Sequence, residues 1–462
     1  MTGTPLRLKH LLLYSLPGIA LSLLIAPFPA LMAAFYAKYT AATTAGIATA
    51  MLVARLLDAV AVPAIGYWTD RTHTRIGPRK PWMLAGALFG SAAFAVFFMP
   101  PKDAGDVYYF FGACLYYVTF ALIDIPQRAW ASELTADYNQ RSRIAAFLTV
   151  SLLVGGIAFM FLPEVLSLPA IGVTQTSALD NHMMAILGTI GMVLLPATVL
   201  VAVLGLPTGA AVTAKPSSVR EMFSAVRHNK PFWMYVSADA LTQIGYGCFY
   251  AVLFVALDSH FGLGEQIPII LVIVVTVQLL AVPLSLRVAK RIGKHRTWAW
   301  AWVIHAVLMP LGFLFHPGEF NFWAFVLFAS ALTVFQAPQM VFPMAIVADI
   351  VDYDTLKSGQ NRAGSYFSIR TLCNMGVSAL GSSLGFYVLA LVGYDPKVST
   401  NTPGAVSGML IVLLVMPAVF FLAAAVILFR FPIDARRHAI IRRRIESRAA
   451  RVGRDLRGAI GG

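Results

Sequence analysis

Apolar residues recur along the whole chain in long blocks, separated by shorter polar or basic stretches. About 20 consecutive apolar residues are enough for a helix to cross the hydrocarbon core of a bilayer. The pattern therefore predicts an all-α membrane protein with twelve transmembrane helices. The predicted spans are residues 10–37, 43–68, 82–101, 105–131, 144–165, 184–206, 231–258, 264–288, 297–316, 322–350, 365–393 and 404–430.

The composition agrees with this class of protein. Hydrophobic residues make up 58% of the chain and charged residues only 12%, whereas about a quarter of the residues of a soluble domain are charged. The sequence contains no glycine-rich phosphate-binding loop, no HExxH pair and no histidine-rich metal constellation within the spans. We therefore expect a transporter rather than a nucleotide-driven pump or a membrane-embedded enzyme, with no metal and no organic cofactor.

A net charge of +14 could indicate nucleic-acid binding, but the distribution of the charge argues against it. Lysine and arginine are concentrated in alternate loops, and loops rich in these residues stay on the cytoplasmic side of a membrane. The sequence therefore predicts a multi-pass protein of a bacterial inner (plasma) membrane with both termini in the cytoplasm. The basic residues of these loops are Arg71, Arg75, Arg79, Lys80, Arg141, Arg143, Lys215, Arg220, Arg227, Lys230, Lys290, Arg291, Lys294, Arg296, Lys357 and Arg362.

Two pairs of loops repeat at one spacing. Residues 75–80, after the second span, and residues 291–296, after the eighth, both begin Arg-Ile-Gly and are 216 positions apart. Glu133, after the fourth span, and Asp349, at the end of the tenth, are separated by the same 216 positions. Such internal repeats are typical of transporters whose solute site lies between two halves near the middle of the membrane. The predicted units are a six-helix bundle (1–206), a cytoplasmic linker (207–230), a second six-helix bundle (231–430) and a basic cytoplasmic tail (431–462).

The tail is strongly basic and includes three consecutive arginines at 442–444. A surface helix held by anionic lipid headgroups accounts for this charge, and binding of a partner by the tail is the alternative. The expected partners are membrane lipids and a small-molecule solute, without nucleic acid, and we expect a monomer.

Four stretches carry a resemblance to a known family. The loop after the second span contains a spaced set of glycine, aspartate and basic residues, and residues 55–59, 124–126 and 348–353 are similar to other conserved segments of that family. Together they resemble the glycoside–pentoside–hexuronide:cation symporters, the melibiose permease-like branch of the major facilitator superfamily. This resemblance implies a major facilitator fold and cation-coupled symport of a sugar or glycoside-like solute by alternating access. The loop-motif residues are Gly66, Asp70, Arg71, Arg75, Gly77, Arg79 and Lys80.

The acidic residues of the basic loops are candidates for gating. Asp70 and Glu133 stand among arginines, and Asp349 and Arg362 occupy the related position in the second half. Ion pairs between such groups would tie neighbouring helices together on the cytoplasmic side in one state and release them in another. The alternative is that these charges only set the topology.

Two aspartates lie inside predicted spans, where an ionisable residue is expensive and indicates function. By the resemblance, Asp58 and Asp124 form the cation-coupling site. An ion pair with Arg55 or Arg128, each one helical turn away, is the structural alternative. Both interpretations hold together if coupling works by breaking the pair.

The sequence departs from the family pattern near both aspartates. Val62 replaces the second carboxylate of the sodium-coupled members, and Ala121 replaces a hydroxyl. Because hard cations prefer several oxygen ligands, a proton is favoured over sodium, and uncoupled facilitation is the remaining alternative. The sugar-binding charges of the family are replaced by residues such as Leu148 and Met375. The solute is therefore a different glycoside or a less polar molecule such as a lysolipid.

One face of the seventh span combines polar and aromatic side chains suited to a hydroxylated ligand, which needs hydrogen bonds and ring stacking. Hydrogen bonding between helices is the competing interpretation, and it is the stronger one for Gln336, Gln339, Asn374 and Ser378. The predicted cavity residues are Asp239, Gln243, Tyr246 and Tyr250 on that face, with Tyr117 and Asn374 from other spans.

Overall fold

The computed structural model describes residues 7–25, 30–135, 138–166, 181–208, 223–224, 226–318, 321–360, 362–398, 400–445 and 447, and it shows helices and no strand within them. The helices are α1 (Leu8–Ile25), α2 (Ala30–Tyr39), α3 (Thr44–Arg71), α4 (Lys80–Phe98), α5 (Asp106–Leu134), α6 (Tyr138–Leu166), α7 (Asn181–Gly205), α8 (Lys230–Val255), α9 (Ile267–Ile292), α10 (Lys294–Leu308), α11 (Phe322–Ser358), α12 (Ala363–Leu391), α13 (Pro403–Leu410) and α14 (Met416–Phe429).

Three short segments extend these helices. A π-helical turn, Ala256–His260, continues α8, and a 3-10 segment, Met309–Leu314, continues α10. Another π-helical turn, Ile411–Val415, joins α13 to α14. Within the described ranges, 9 helices are long and apolar enough to cross a membrane. Every predicted span overlaps a helix, while the total of twelve crossings stays a prediction.

Capping side chains and glycines fix several helix ends. The Thr43 hydroxyl accepts a hydrogen bond from the Gly46 N–H at 2.9 Å and begins α3, which satisfies one of the unpaired donors at a helix start. Gly293, at φ 92°, separates α9 from α10 with a single residue. Gly359, at φ 72°, ends α11 in the left-handed conformation that suits glycine. The helices therefore reverse direction within short loops.

The helices pack in two groups. In the first group α1 lies against α6 and α7, and α5 lies against α3 and α4. In the second group α8 lies against α12 and α14, and α11 lies against α9 and α10. The groups meet where α3 contacts α12, where α2 contacts α8 and where α6 contacts α9. The predicted halves and their exact bounds remain predictions, and most of the linker 207–230 lies outside the described residues.

Glycines allow α8 and α12 to approach closely. A Cβ atom on Gly247 would lie 2.5 Å from the Ser382 nitrogen, and one on Gly381 would lie 2.7 Å from the Ile244 carbonyl oxygen. Small residues of this kind let membrane helices pack backbone to backbone. The close contact holds the polar side chains of α8 against those of α12.

The loops form two faces. The basic face carries the loops after α3, α5, α9 and α11, together with the tail, and the opposite face carries the loops after α2, α4, α8, α10 and α12. At the basic face the tail forms a helix over residues 435–445. The Arg437 N–H donates to the Asp434 carboxylate at 2.7 Å, which lowers the pKa of that carboxyl.

The tail helix packs on the second helix group. Phe431, Ile433 and Ile441 are buried in the apolar core of that group. His438 Nε2 lies 3.0 Å from Asp352 Oδ2, and Arg442 Nη1 lies 3.7 Å from the same oxygen. The described part of the tail is therefore docked on the protein, and its contact with lipid headgroups stays a prediction.

Candidate functional site

Asp58 lies inside α3 and is buried, with 5% of its side chain exposed. Arg55 Nη1 donates to Asp58 Oδ2 at 3.1 Å. The same guanidinium lies over the Tyr117 ring of α5, 5.0 Å from its centroid. The predicted ion pair is therefore present, and Tyr117, a predicted cavity residue, instead packs on that pair.

Asp124 lies on α5 and forms the second predicted pair. Arg128 Nε donates to both of its carboxylate oxygens at 2.8 Å. This pair is more open than the first, because 60% of the Arg128 side chain and 18% of the Asp124 side chain are exposed. One residue before Arg128, the Gln127 carbonyl oxygen accepts a 2.6 Å hydrogen bond from Tyr14 of α1.

An apolar cluster lies between α3 and α5, near the two aspartates. Ile65, Ala121 and Leu122 are buried together, and Val62 packs against them. Val62 and Ala121 are the two positions where sodium-coupled relatives are expected to supply oxygens. Side chains of this cluster offer carbon where a hard cation requires oxygen ligands.

A third acidic residue, Asp239 of α8, is almost completely buried at 1% exposure. The Tyr235 hydroxyl donates to Asp239 Oδ2 at 2.9 Å, and Asn374 Nδ2 of α12 donates to it at 3.1 Å. Arg370 Nη2 lies 3.4 Å from this oxygen, while Arg370 Nε donates to the Tyr235 hydroxyl at 2.6 Å. Gln339 Nε2 of α11 donates to Asp239 Oδ1 at 3.4 Å. This cluster joins three helices of the second group.

Sequence reasoning missed Arg370. It lies within the predicted span 365–393, and the rule that singled out Asp58, a charge inside a span, would have found it. Arg370 pairs with the Asp239 carboxylate, so Asp239 and Asn374 lie in an ion-pair cluster and are not among the residues that line the cavity. A role of these two residues in solute binding stays a prediction.

A cavity of about 490 Å³ lies mainly in the second helix group, with Leu31 and Phe159 contributed by the first. Three predicted residues line it, namely Gln243, Tyr246 and Tyr250. The Tyr246 and Tyr250 rings stack with centroids 5.8 Å apart and an angle of 16° between their planes. Its volume is in the range of small-molecule sites.

Gln336 completes the polar part of this lining. Its side-chain oxygen accepts a hydrogen bond of 3.4 Å from the Tyr250 hydroxyl, which links α11 to α8 across the cavity. Interhelical hydrogen bonding was the favoured interpretation of Gln336, and the structure contains such a bond at the cavity wall. Tyr117 is not part of the lining.

The loop motif forms an ion-pair cluster at the basic face. Arg79 Nη1 lies 2.6 Å from Asp70 Oδ1, and Arg79 Nε lies 2.7 Å from Glu133 Oε1. Lys80 Nζ donates to the Leu206 carbonyl oxygen at 2.6 Å. These contacts tie α3, α4, α5 and the end of α7 together.

Other motif residues have different places. Arg71 lies over the Tyr67 ring, 3.5 Å from its centroid, and Arg75 is exposed. Gly77, at φ 97°, forms the turn before α4, and a Cβ atom on Gly66 would meet no atom within 4 Å. The motif therefore divides into a centre of ion pairs, which includes Arg79, and flanking residues, of which Arg71 contacts an aromatic ring.

The second half contains the repeated counterpart of this cluster. Lys294 Nζ lies 2.5 Å from Asp349 Oδ2. The repeat relates Asp349 to Glu133, and Lys294 lies one position before the residue that it relates to Arg79. His438 of the tail lies 3.4 Å from the other oxygen of Asp349. Arg362, whose part in gating stays a prediction, donates to Gln360 at 2.9 and 3.0 Å. The repeat in the sequence thus corresponds to a repeated ion pair in space.

Two polar contacts join the helix groups at the opposite face. Lys38 Nζ, at the end of α2, lies 2.7 Å from Asp258 Oδ2 in the π turn after α8, and only 4% of the Asp258 side chain is exposed. Lys397 Nζ donates to the Ala42 carbonyl oxygen at 2.8 Å. Sequence reasoning missed the Lys38–Asp258 pair because its partners lie 220 positions apart on separate helices.

Long apolar helices, carboxylate–arginine pairs within them and a cavity beside the contact of two helix groups define a multi-pass membrane transporter. The chain belongs to the MFS/sugar transport protein family, whose model matches residues 13–435. The superfamily and symporter assignments made from the loop motif are thereby confirmed, as is a transporter rather than an enzyme.

Individual relatives agree with this assignment. The chain is 28% identical to a protein of Escherichia coli proposed to be the glycoside/cation symporter YagG, over 97% of each chain. It is 24% identical to the glucuronide carrier protein homologue of Escherichia coli, over 94% of each. Among solved structures it is similar to the nucleoside transporter NupG, with a TM-score of 0.62 at 14% identity over 92% of this chain and 98% of the other. The prediction of a multi-pass inner-membrane protein is also confirmed.

Proposed function

We propose that the protein is a proton-coupled symporter of a sugar or glycoside-like small solute. It works as a monomer by alternating access between two six-helix halves, with twelve spanning helices and both termini in the cytoplasm. The observation that carries the proposal is the buried Asp58–Arg55 pair within α3. The names of relatives such as the glycoside/cation symporter support a cation and a glycoside as the transported species.

Asp58 is the primary coupling residue in this proposal, and Asp124 is the second. A buried carboxylate without a cation is costly, and protonation of Asp58 would end its attraction to Arg55. The guanidinium, already over Tyr117 of α5, would then shift its interactions toward that helix. Proton binding would thus change the contact between α3 and α5.

The apolar cluster of Val62, Ile65, Ala121 and Leu122 favours a proton over sodium. A proton needs only one carboxylate oxygen, whereas sodium needs several hard ligands. The second pair, Asp124 with Arg128, is partly exposed and is suited to exchange protons with water in an open state.

The uneven distribution of contacts between the two faces supports alternating access. At the opposite face, the Lys38–Asp258 pair and the Lys397–Ala42 hydrogen bond cross between the halves. At the basic face, the ion pairs of Arg79 and Lys294 are each formed within one half. We propose that this arrangement represents the state closed at the opposite, periplasmic face.

A less polar solute is the second candidate, because most of the side chains that line the cavity are apolar. A lysolipid would use that surface without needing the polar residues Gln243 and Gln336.

The test is solute-driven pH change in proteoliposomes, screened over glycosides, pentosides, uronides and lysolipids. Movement of protons with one sugar class supports the proposal. Transport of lysolipid alone, without proton movement by any sugar, would select the second candidate. The Trp323→Ala variant is a control that should transport like the wild type, because Trp323 is 66% exposed and does not line the cavity.

A further inference from the structure

The cavity lining changes from polar to apolar along three separate helices. The π turn after α8 and the first residues of α9 and α11 lie at the opposite face. The number of residues between this face and a given position on each helix therefore gives the depth of that position in the cavity. The deep end is polar on all three helices. It consists of Gln243 on α8, Gln278 on α9 and Gln336 on α11.

The end of the cavity toward the opposite face is apolar on the same helices. Phe254 of α8, Leu271 of α9 and Phe325 of α11 line it. The Phe261 and Phe325 rings are packed with centroids 5.6 Å apart. From Gln243 to Phe254 the helical rise is about 16 Å. The cavity is therefore long enough to present a polar and an apolar surface to two ends of one solute.

Aromatic rings lie between the two ends. The Tyr250 ring is 36% exposed, and its hydroxyl bonds Gln336 at the polar end. It stacks on Tyr246, so the two rings present nearly parallel faces. Flat aromatic surfaces with a hydroxyl at the edge suit the apolar face and the hydroxyl groups of a sugar ring.

No charged side chain lines the cavity within the part of the chain that the structure describes. The nearest carboxylate along α8 is Asp239, one turn deeper than Gln243, and it is bound by Arg370 and its neighbours. A uronate or sulfonate group in this cavity would lose its water without gaining an opposite charge, which is costly. The lining therefore favours a neutral solute.

We propose that the cavity selects a neutral glycoside with an apolar aglycone. The sugar lies at the deep end, against Tyr246 and Tyr250 and hydrogen-bonded by Gln243 and Gln336. The aglycone lies against the phenylalanine-rich end that faces the opposite face of the protein. This inference rests on the proposed function, in which this cavity is the solute site, and it names the class of solute.

The test measures uptake into proteoliposomes of the 4-nitrophenyl and methyl glycosides of glucose, galactose and xylose. The 4-nitrophenyl glucuronide is the charged compound. The KM of the carried 4-nitrophenyl glycoside should be about tenfold or more below that of its methyl counterpart, because the ring buries apolar surface. The matching 4-nitrophenyl glucuronide should not compete.

Two variants locate the two ends. Phe328 lines the apolar end of the cavity one turn after Phe325 on α11. Phe328→Ala should raise the KM of the nitrophenyl glycoside toward that of the methyl glycoside and leave the latter nearly unchanged. Gln336→Leu, at the polar end, should weaken both compounds. Trp323→Ala on the same helix, which does not line the cavity, should change neither KM.

Equal KM values for methyl and nitrophenyl glycosides, or stronger competition by the glucuronide, would overturn the inference and leave glycoside symport standing. If no glycoside of any kind is carried, the proposed function fails together with the inference. A Phe328→Ala variant that keeps the full preference for the aryl group would show that the aglycone does not lie at this end.

Discussion

The Lys38–Asp258 pair should act as a latch that keeps the opposite face closed. Asp258 is nearly inaccessible and Lys38 is 27% exposed, so the pair is partly withdrawn from water only while the halves are in contact. In an open state both groups would be hydrated. Lys38→Met removes the ammonium and leaves the buried carboxylate in place.

The magnitude follows from the burial of Asp258. Breaking a buried ion pair by removing one partner costs about 3–5 kcal/mol. Because 27% of the Lys38 side chain is exposed, this pair belongs at the low end, about 3 kcal/mol, which corresponds to about 150-fold in an equilibrium constant. The substitution should shift the population from the closed toward the open state by a factor of this order.

The assay is double electron–electron resonance between spin labels at Asp103 and Glu265, two exposed positions in loops of different halves at the opposite face. Lys38→Met should add a population with a longer distance. The charge-swapped variant, Lys38→Asp with Asp258→Lys, is the matched control and should recover much of the short distance. Identical distance distributions in all three proteins would refute the reasoning.

Three further outcomes are expected. Arg370→Met should lower the thermal unfolding midpoint in detergent, because it leaves the Asp239 charge buried at a cost of about 3–5 kcal/mol, and adding Asp239→Asn should restore much of the loss. Glu133→Gln should remove one of the two ion pairs of Arg79 at the basic face and leave the pair with Asp70, and it should slow transport without changing solute affinity in equilibrium binding. Ile441→Asp should undock the tail, so that limited proteolysis removes it faster than in the exposed-site control Ile440→Asp. Unchanged midpoints, rates or cleavage would contradict the respective claim.

The sequence predicted the helices well, because the thickness of the bilayer sets the length of an apolar block. The repeat of 216 positions also has a structural counterpart, since Glu133 and Asp349 each form an ion pair with a basic residue at the start of the preceding helix, Arg79 and Lys294 respectively. The pairs of Asp58 and Asp124 were foreseen as alternatives because partners one turn apart on a helix are visible in the sequence.

Other features depend on packing that no local pattern records. The cavity lining draws on α8, α9, α11 and α13, and apolar lining residues such as Leu271 resemble ordinary lipid-facing residues in the sequence. Asp239 shares a helical face with Gln243, yet α12 packs on α8 so that Arg370 forms an ion pair with the Asp239 carboxylate. The docking of the tail through Ile441 was missed because the basic residues around it favoured the prediction of a helix on the lipid surface.

The central claim is that Asp58 couples solute movement to proton movement. The most direct measurement compares wild type and Asp58→Asn in proteoliposomes by two readouts, solute-induced proton uptake and solute counterflow at equal pH. The account predicts that Asp58→Asn loses proton uptake and keeps counterflow, because the solute cavity lies on other helices. Solute-induced proton uptake that persists in Asp58→Asn at the wild-type ratio of protons to solute would contradict it.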